Sequence, residues 1–371
     1  MPFLIVDRSV LQVQLLSPES SSLPVFRSKT TPGGLDMVVS GKGKAEGQAW
    51  PAWHATLRNY RKPSVWKAAW QLSSTLLPYV GLWWLMIGAI HKGYSYGVTL
   101  ALALVAALFL VRIFILFHDC VHGSLFPKLN VNTFFGHALG VLVFTPFDDW
   151  RYSHLRHHAS YADLDARGFG DIWTMTLAEY EQASKAKRWS YRLYRHPLIL
   201  FGLGAVFSFL LRFRLPVLLS ERKARASVLF TNLLIVVILL TAAKTIGLGT
   251  YLHIQLPVIW FAGLMGIWLF YVQHQFEGVY WARRKEWDAL QAAMEGSSFY
   301  DLPPVLRWFS ANIGYHYIHH LSPRIPNYRL KPCYDAVPAL REKPPLTIRK
   351  SLPGIGLKLW DETRKQLVGF P

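Results

Sequence analysis

Four long stretches of this chain carry almost no charge, and that limits its possible folds more than any other feature. They are residues 69–90, 95–117, 228–249 and 256–273, in which Arg112 and Lys244 are the only charged side chains. Each is long enough for a helix to cross a hydrocarbon core of ~30 Å, which takes ~17–25 residues. Such segments are expected to be helical, because hydrocarbon offers no partner to a free backbone N–H or C=O. Only 17% of the chain is charged and 52% is hydrophobic, against roughly 25% charged in an ordinary soluble domain. Short turns link the first stretch to the second and the third to the fourth, so the spans are expected to form two helical hairpins. Two further apolar runs, 134–146 and 198–211, are too short to cross and read as re-entrant or interfacial segments.

The net charge of +18 separates two classes of protein. A nucleic-acid binder gathers Lys and Arg on one polar domain. Here Arg58, Arg61, Lys62 and Lys67 precede the first span. Arg151, Arg156, Arg167, Lys185, Lys187, Arg188, Arg192 and Arg195 lie between the hairpins, followed by Arg212, Arg214, Arg222, Lys223 and Arg225. The hairpin turns are poor in charge. Basic loops stay on the cytoplasmic side, so both hairpins are expected to enter and leave from the cytoplasm, and no nucleic-acid partner is expected. Cys120 and Cys333 cannot build a disulfide framework. MPFLIV, cut short by Asp7 and Arg8, reads as too short for a signal peptide's apolar region. Residues 1–55, rich in Ser, Gly, Pro and charge, are expected to be disordered. Residues 56–355 form the expected membrane domain and 356–371 a cytoplasmic tail.

Eight of the 14 histidines fall in three clusters: HDCVH at 118–122, HLRHH at 154–158 and HYIHH at 316–320. On a helix, residues three or four apart share a face. His118 and His122, then His154, His157 and His158, then His316, His319 and His320 therefore each present imidazoles on one patch. Neutral imidazole is a ligand for iron, copper, nickel or zinc. Eight candidate ligands exceed the four of a zinc site and suit a pair of metals. Zinc proteolysis fits poorly, since HDCVH lacks the glutamate of HExxH. A metal transporter or sensor is the non-enzymatic alternative, but transporters line their path with ionisable groups inside the spans, and these spans are nearly free of them.

FHDCVHGSLF, SHLRHHAS and NIGYHYIHHLSPRIPNY resemble the three histidine boxes of membrane fatty acid desaturases, closest to the bacterial acyl-lipid type related to plant oleate desaturases. DLDARGFGDIWTMTLAEY, RLYRHPLILFG, FYVQHQFEGVYW and EGSSFYDLPPVLRWFSANIGYH resemble the same group, so the likeness covers roughly residues 60 to 355. It implies an all-α integral membrane protein, with four transmembrane helices under a cytoplasmic, histidine-rich cap holding two iron ions. His274 of YVQHQFE stands where related desaturases place a further ligand, giving a set of nine. Asp119, Asp148, Asp149, Asp163, Asp165, Asp171 and Glu277 are candidates to orient the imidazoles, Asp119 and Glu277 being the best placed. His54, His91, His137, His196 and His253 are read as structural.

The resemblance further implies an O2-dependent enzyme that introduces a cis double bond into a lipid-linked acyl chain. A hydroxylase or ketolase on the same scaffold is the alternative. No HPGG haem motif is present, so no fused cytochrome b5 domain is expected. Likeness to bacterial members implies ferredoxin or flavodoxin as electron donor and the bacterial inner membrane as location. The apolar spans are expected to form a hydrophobic slot for the acyl chain beneath the irons.

Overall fold

In the computed structural model each long apolar run forms a long helix, although the third run, 228–249, overruns its helix end at Thr245. The structure describes the backbone of residues 27–31 and 34–38, and residues 50–371 apart from 169 and 218–220. Most of the segment expected to be disordered, 1–55, thus lies outside the described residues. Within it, Arg27–Thr31 pairs antiparallel with Gly34–Val38, and a 3-10 helix begins at Ala52.

Helix α1 (Val65–His91) starts at Ser64, whose side chain accepts from the Lys67 N–H. Helix α2 (Tyr96–Val121) starts likewise at Ser95, which accepts from Gly97. A capping hydroxyl satisfies one of the N–H groups a helix start leaves free. Between them Gly93 takes a φ of +69°, which glycine adopts without a Cβ penalty. Two shorter helices follow, α3 (Leu129–Leu142) and α4 (Phe147–Ser160). They touch at Gly136, where a Cβ would stand 2.1 Å from the Phe147 ring. Helix α5 (Lys185–Tyr194) leads into a partly π-helical segment, 198–214, bent 64° from it.

Helices α6 (Arg222–Thr245) and α7 (Leu248–His274) form the second hairpin. The expected break between 249 and 256 is absent. The chain turns instead at Ile246–Gly247, with Gly247 at φ +86°, and Pro257 sits inside α7. Membrane-spanning helices tolerate an internal proline because neighbouring groups satisfy the freed carbonyl. All four long helices are long and apolar enough to cross a membrane. Segment 198–214 with α5 passes the same test only as a bent pair, a broken span or a re-entrant loop.

The surfaces of these helices confirm a membrane protein. On α1, Trp66, Trp70, Leu77, Val80 and Trp84 are all more than 60% exposed, spaced as an outward stripe. On α6, Leu229 and Leu233 do the same. Apolar stripes of this size are unfavourable in water and suit lipid. α2 is the central helix, with 61% of its most apolar window buried, against 22–39% for the others. Arg112 of α2 is 3% exposed: its Nε donates to Thr75 Oγ1 at 3.0 Å and its guanidinium lies 4.0 Å over the Trp308 ring.

Beyond the spans the chain builds a cap of short helices, α8 (Ala289–Gly296), α9 (Pro304–Phe309), α10 (His316–Leu321) and α11 (Asn327–Ala336). Its core gathers Leu57, Tyr317, Ile318, Ile325, Leu330 and Leu340. The last residues are built in: Leu359–Asp361 pairs with Met175–Thr176 and with Gln366–Val368, and Phe370 packs on Tyr180 and Tyr191.

Candidate metal centre

Four helices deliver the nine predicted histidines to one place. α2 runs past its apolar stretch, so its last turn carries His118 and its C-cap is His122. α4 presents His154, His157 and His158; α7 ends on His274; α10 carries His316, His319 and His320.

They sort into two adjacent groups. In the first, ligand atoms of His118, His122, His154, His158 and His319 all lie within 4.8 Å of one another. The Nε2 atom of His154 stands 2.9 Å from that of His122 and 3.2 Å from that of His158, which is 3.0 Å from that of His319. In the second, His157, His274 and His320 satisfy the same test. His316 joins them, its Nε2 lying 3.1 Å from the Nε2 atoms of both His274 and His320. The sequence expectation that the three boxes and His274 converge thus has a direct geometric counterpart.

These contacts are poor as hydrogen bonds and good as ligand spacing. A ring nitrogen has one in-plane direction for either a proton or a lone pair, yet the Nε2 atoms of His154 and His316 each face two others. Two nitrogens bonded to one metal at ~2.1 Å, with angles of ~90–110°, stand ~3.0–3.4 Å apart. The observed separations are close to these, so a cation in each group would satisfy lone pairs that the imidazoles cannot satisfy among themselves.

Protonation favours the same role. Burial, reinforced by neighbouring imidazoles, holds His122, His154, His158, His316, His319 and His320 well below the usual histidine range. They are neutral at neutral pH, as a ligand must be.

One surrounding carboxylate bonds a ring directly. Asp171 Oδ1 is 2.5 Å from His157 Nδ1, which leaves His157 Nε2, otherwise without a partner, facing its group. Asp119 Oδ1 is 3.7 Å from His118 Nδ1, while Asp119 Oδ2 accepts from the backbone and side chain of Asn327, 2.8 Å each. Glu277, expected to be among the best placed, is exposed and makes no hydrogen bond to the nine histidines among the described residues. Asp148 instead faces His137 and Lys223, Asp149 accepts from the Val217 N–H, Asp163 meets Arg284 and Asp165 meets Arg283. His253 bonds the Gly249 carbonyl, and His54 packs on Trp50. Neither joins the centre, nor do His91, His137 and His196.

Aromatic neighbours that were not foreseen include Trp150, Tyr161 and Phe270, the last 5.0 Å from His274 and 5.7 Å from His157. Trp150 stacks on His154 at 4.3 Å and 17°, one turn earlier on α4. The Tyr161 ring lies 4.5 Å from His274, 4.7 Å from His320 and 5.2 Å from His157. The spacing of Trp150 and of Phe270, each four residues before a histidine on the same helix, is the signal that pointed to them; none pointed to Tyr161. On the span side, where the acyl slot was expected, Phe114, Phe117, Phe147 and Trp150 pack against one another.

Comparison with known proteins agrees with this site. Residues 94–351 match the family model described as fatty acid desaturase. A fatty acid desaturase of Bacillus subtilis is 43% identical over 311 residues, covering 84% of this chain and 88% of that protein. An sn-1 oleoyl-lipid 12-desaturase of Synechocystis is 27% identical over 223 residues, 59% of this chain and 62% of the relative. A chloroplastic omega-6 fatty acid desaturase of Arabidopsis thaliana is 25% identical over 234 residues, 60% of this chain and 50% of its own length.

Proposed function

This chain belongs to the fatty acid desaturase family, and from that premise we propose that its two histidine groups hold two iron ions. His118, His122, His154, His158 and His319 form one set, and His157, His274, His316 and His320 the other. The enzyme is a membrane oxidoreductase that desaturates fatty acyl chains. The observation that carries the metal assignment is the convergence of neutral imidazole nitrogens at 2.9–3.2 Å.

When bound, the irons supply activation of O2 for hydrogen abstraction. In balance, the acyl chain gives up two hydrogens, and O2 takes these with two electrons and two protons to leave as two waters. The protein's part is to bind, orient and exclude water. Burial keeps the imidazoles unprotonated. Asp171 accepts the Nδ1 proton of His157 and so fixes which nitrogen faces inward. Asp119 ties the end of α2 to Asn327 at the start of α11, which holds the first box against the third.

We assign the acyl-lipid substrate class, a separate one-electron donor such as ferredoxin or flavodoxin, and a cytoplasmic site at the bacterial inner membrane. Support comes from the likeness to lipid-acting relatives and from the basic segments on the histidine side of the spans. The test is gas chromatography of derivatised fatty acids from cells expressing wild type and His316→Ala. Wild type is expected to add an unsaturated product that the variant lacks at equal membrane levels. Hydroxy or keto lipids in place of new double bonds would overturn the desaturation chemistry; full activity in the variant would overturn the ligand assignment.

A further inference from the structure

We propose that Trp287 and Tyr161 form the route by which electrons pass from a docked donor to the second histidine group. The inference rests on the di-iron reading above. Of the second group, His157, His274 and His316 are 1–3% exposed and only His320 is partly exposed, so a protein-sized donor reaches three of its four rings through neighbouring side chains. Electronic coupling falls steeply across gaps and is carried best by bonded atoms and π systems in close succession.

The described residues supply such a succession. Trp287 lies in the loop between α7 and α8 and is partly exposed. Its indole N–H donates to the Tyr161 carbonyl at 2.8 Å. The Tyr161 ring, itself 3% exposed, then meets three histidines of one group at 4.5–5.2 Å. Trp281, 5% exposed, stands 6.2 Å from the Tyr161 ring and belongs to the same apolar cluster, so a second ring flanks the step. One electron leaves the donor and one arrives at the metal in each passage. Neither ring gains or loses an atom, and two passages serve each double bond.

The Tyr161 hydroxyl is not what the route uses. It is buried beside Gly296 and Ser297, and among the described residues no hydrogen bond of good geometry reaches it, although a buried polar atom ordinarily has one. Its ring, by contrast, faces the histidines. Tyr161→Phe therefore keeps the conduit and Tyr161→Leu breaks it.

The test uses iron-loaded, full-length protein in detergent, with reduced ferredoxin as the probe. Iron per chain is measured first, then the rate of reduction of the oxidised centre by stopped-flow absorbance in the absence of substrate. Wild type failing to hold iron would sink the di-iron reading itself. With iron bound, Tyr161→Leu and Trp287→Leu are expected to slow reduction severalfold at unchanged iron content; Tyr161→Phe restores the rate, whereas Trp287→Phe, which lacks the N–H that bonds the Tyr161 carbonyl, stays slow. Unaltered reduction in iron-replete Trp287→Leu would overturn the route. That variant lies outside both histidine groups, so it answers the question even if Tyr161→Leu loses metal.

Discussion

Asp171 lies in a loop fourteen residues beyond His157, and nothing but that loop's path brings its carboxylate to 2.5 Å from the ring. Loss of such a partner typically costs a metal site ~10–100-fold in affinity. Asp171→Ala is therefore expected to shed iron at lower chelator concentration than wild type, losing about half its iron first because only the second group depends on it. Metal analysis after dialysis against graded chelator checks this; parallel loss from both groups would count against the division. The buried imidazoles make a second expectation. In the metal-free protein the folded-state values of His122, His154, His158, His316, His319 and His320 lie below the unfolded value near 6.5. Below pH ~6.5 the unfolded chain thus binds more protons, so stability falls as pH drops and levels off above. Thermal unfolding of chelated protein should show a melting temperature that declines from pH 7 to 5.5. A flat profile would mean the imidazoles are solvated. Spacing in the sequence was enough to pick out eight histidines, because i, i+3 and i+4 positions share a helix face; His274, which has no clustered neighbour, came only from the resemblance to related desaturases. Asp171, Trp150 and Tyr161 take their roles from tertiary packing, which has no period to read, and Glu277 looked well placed only by nearness along the chain.

Segment 198–214 packs its small residues into α7. A Cβ on Gly263 would collide with the Ala205 methyl group, so the two elements touch where α7 has no room for a side chain. Gly263→Val is expected to destabilise the protein by about 1–3 kcal/mol through overpacking, seen as a lower melting temperature in detergent with iron-loaded absorbance unchanged below the transition. An unchanged melting temperature would show that the contact is loose. Helix existence was legible here because uncharged runs of this length have few alternatives. Helix ends were not: α2 continues beyond the apolar run to deliver His118, and α6 stops at Thr245 rather than at the end of its apolar stretch. Apolarity marks where lipid is, whereas a helix stops where its backbone finds a turn.

For the whole molecule, the net charge of +18 and its distribution argue for one orientation. Lys92 and Lys244 are exposed at the hairpin ends, far along the chain from the boxes, and Lys285 is exposed on the cap. In intact cells a membrane-impermeant maleimide should label Lys92→Cys and Lys244→Cys. Lys285→Cys should react only after permeabilisation. Both native cysteines are buried, so background is low. Labelling of Lys285→Cys from outside would reverse the assigned topology.

The way the two groups share their helices also sets an order of assembly. The first group draws on α2, α4 and α10, and the second on α4, α7 and α10. α10 ends at Leu321, well after the fourth span has been synthesised. Until that helix emerges from the ribosome, neither group is complete, however well the hairpins are inserted. A nascent chain therefore has no closed chelate to load. If the groups hold iron as proposed, metal capture is a late clasp that reports a finished protein, closed to any chain cut short before residue 316.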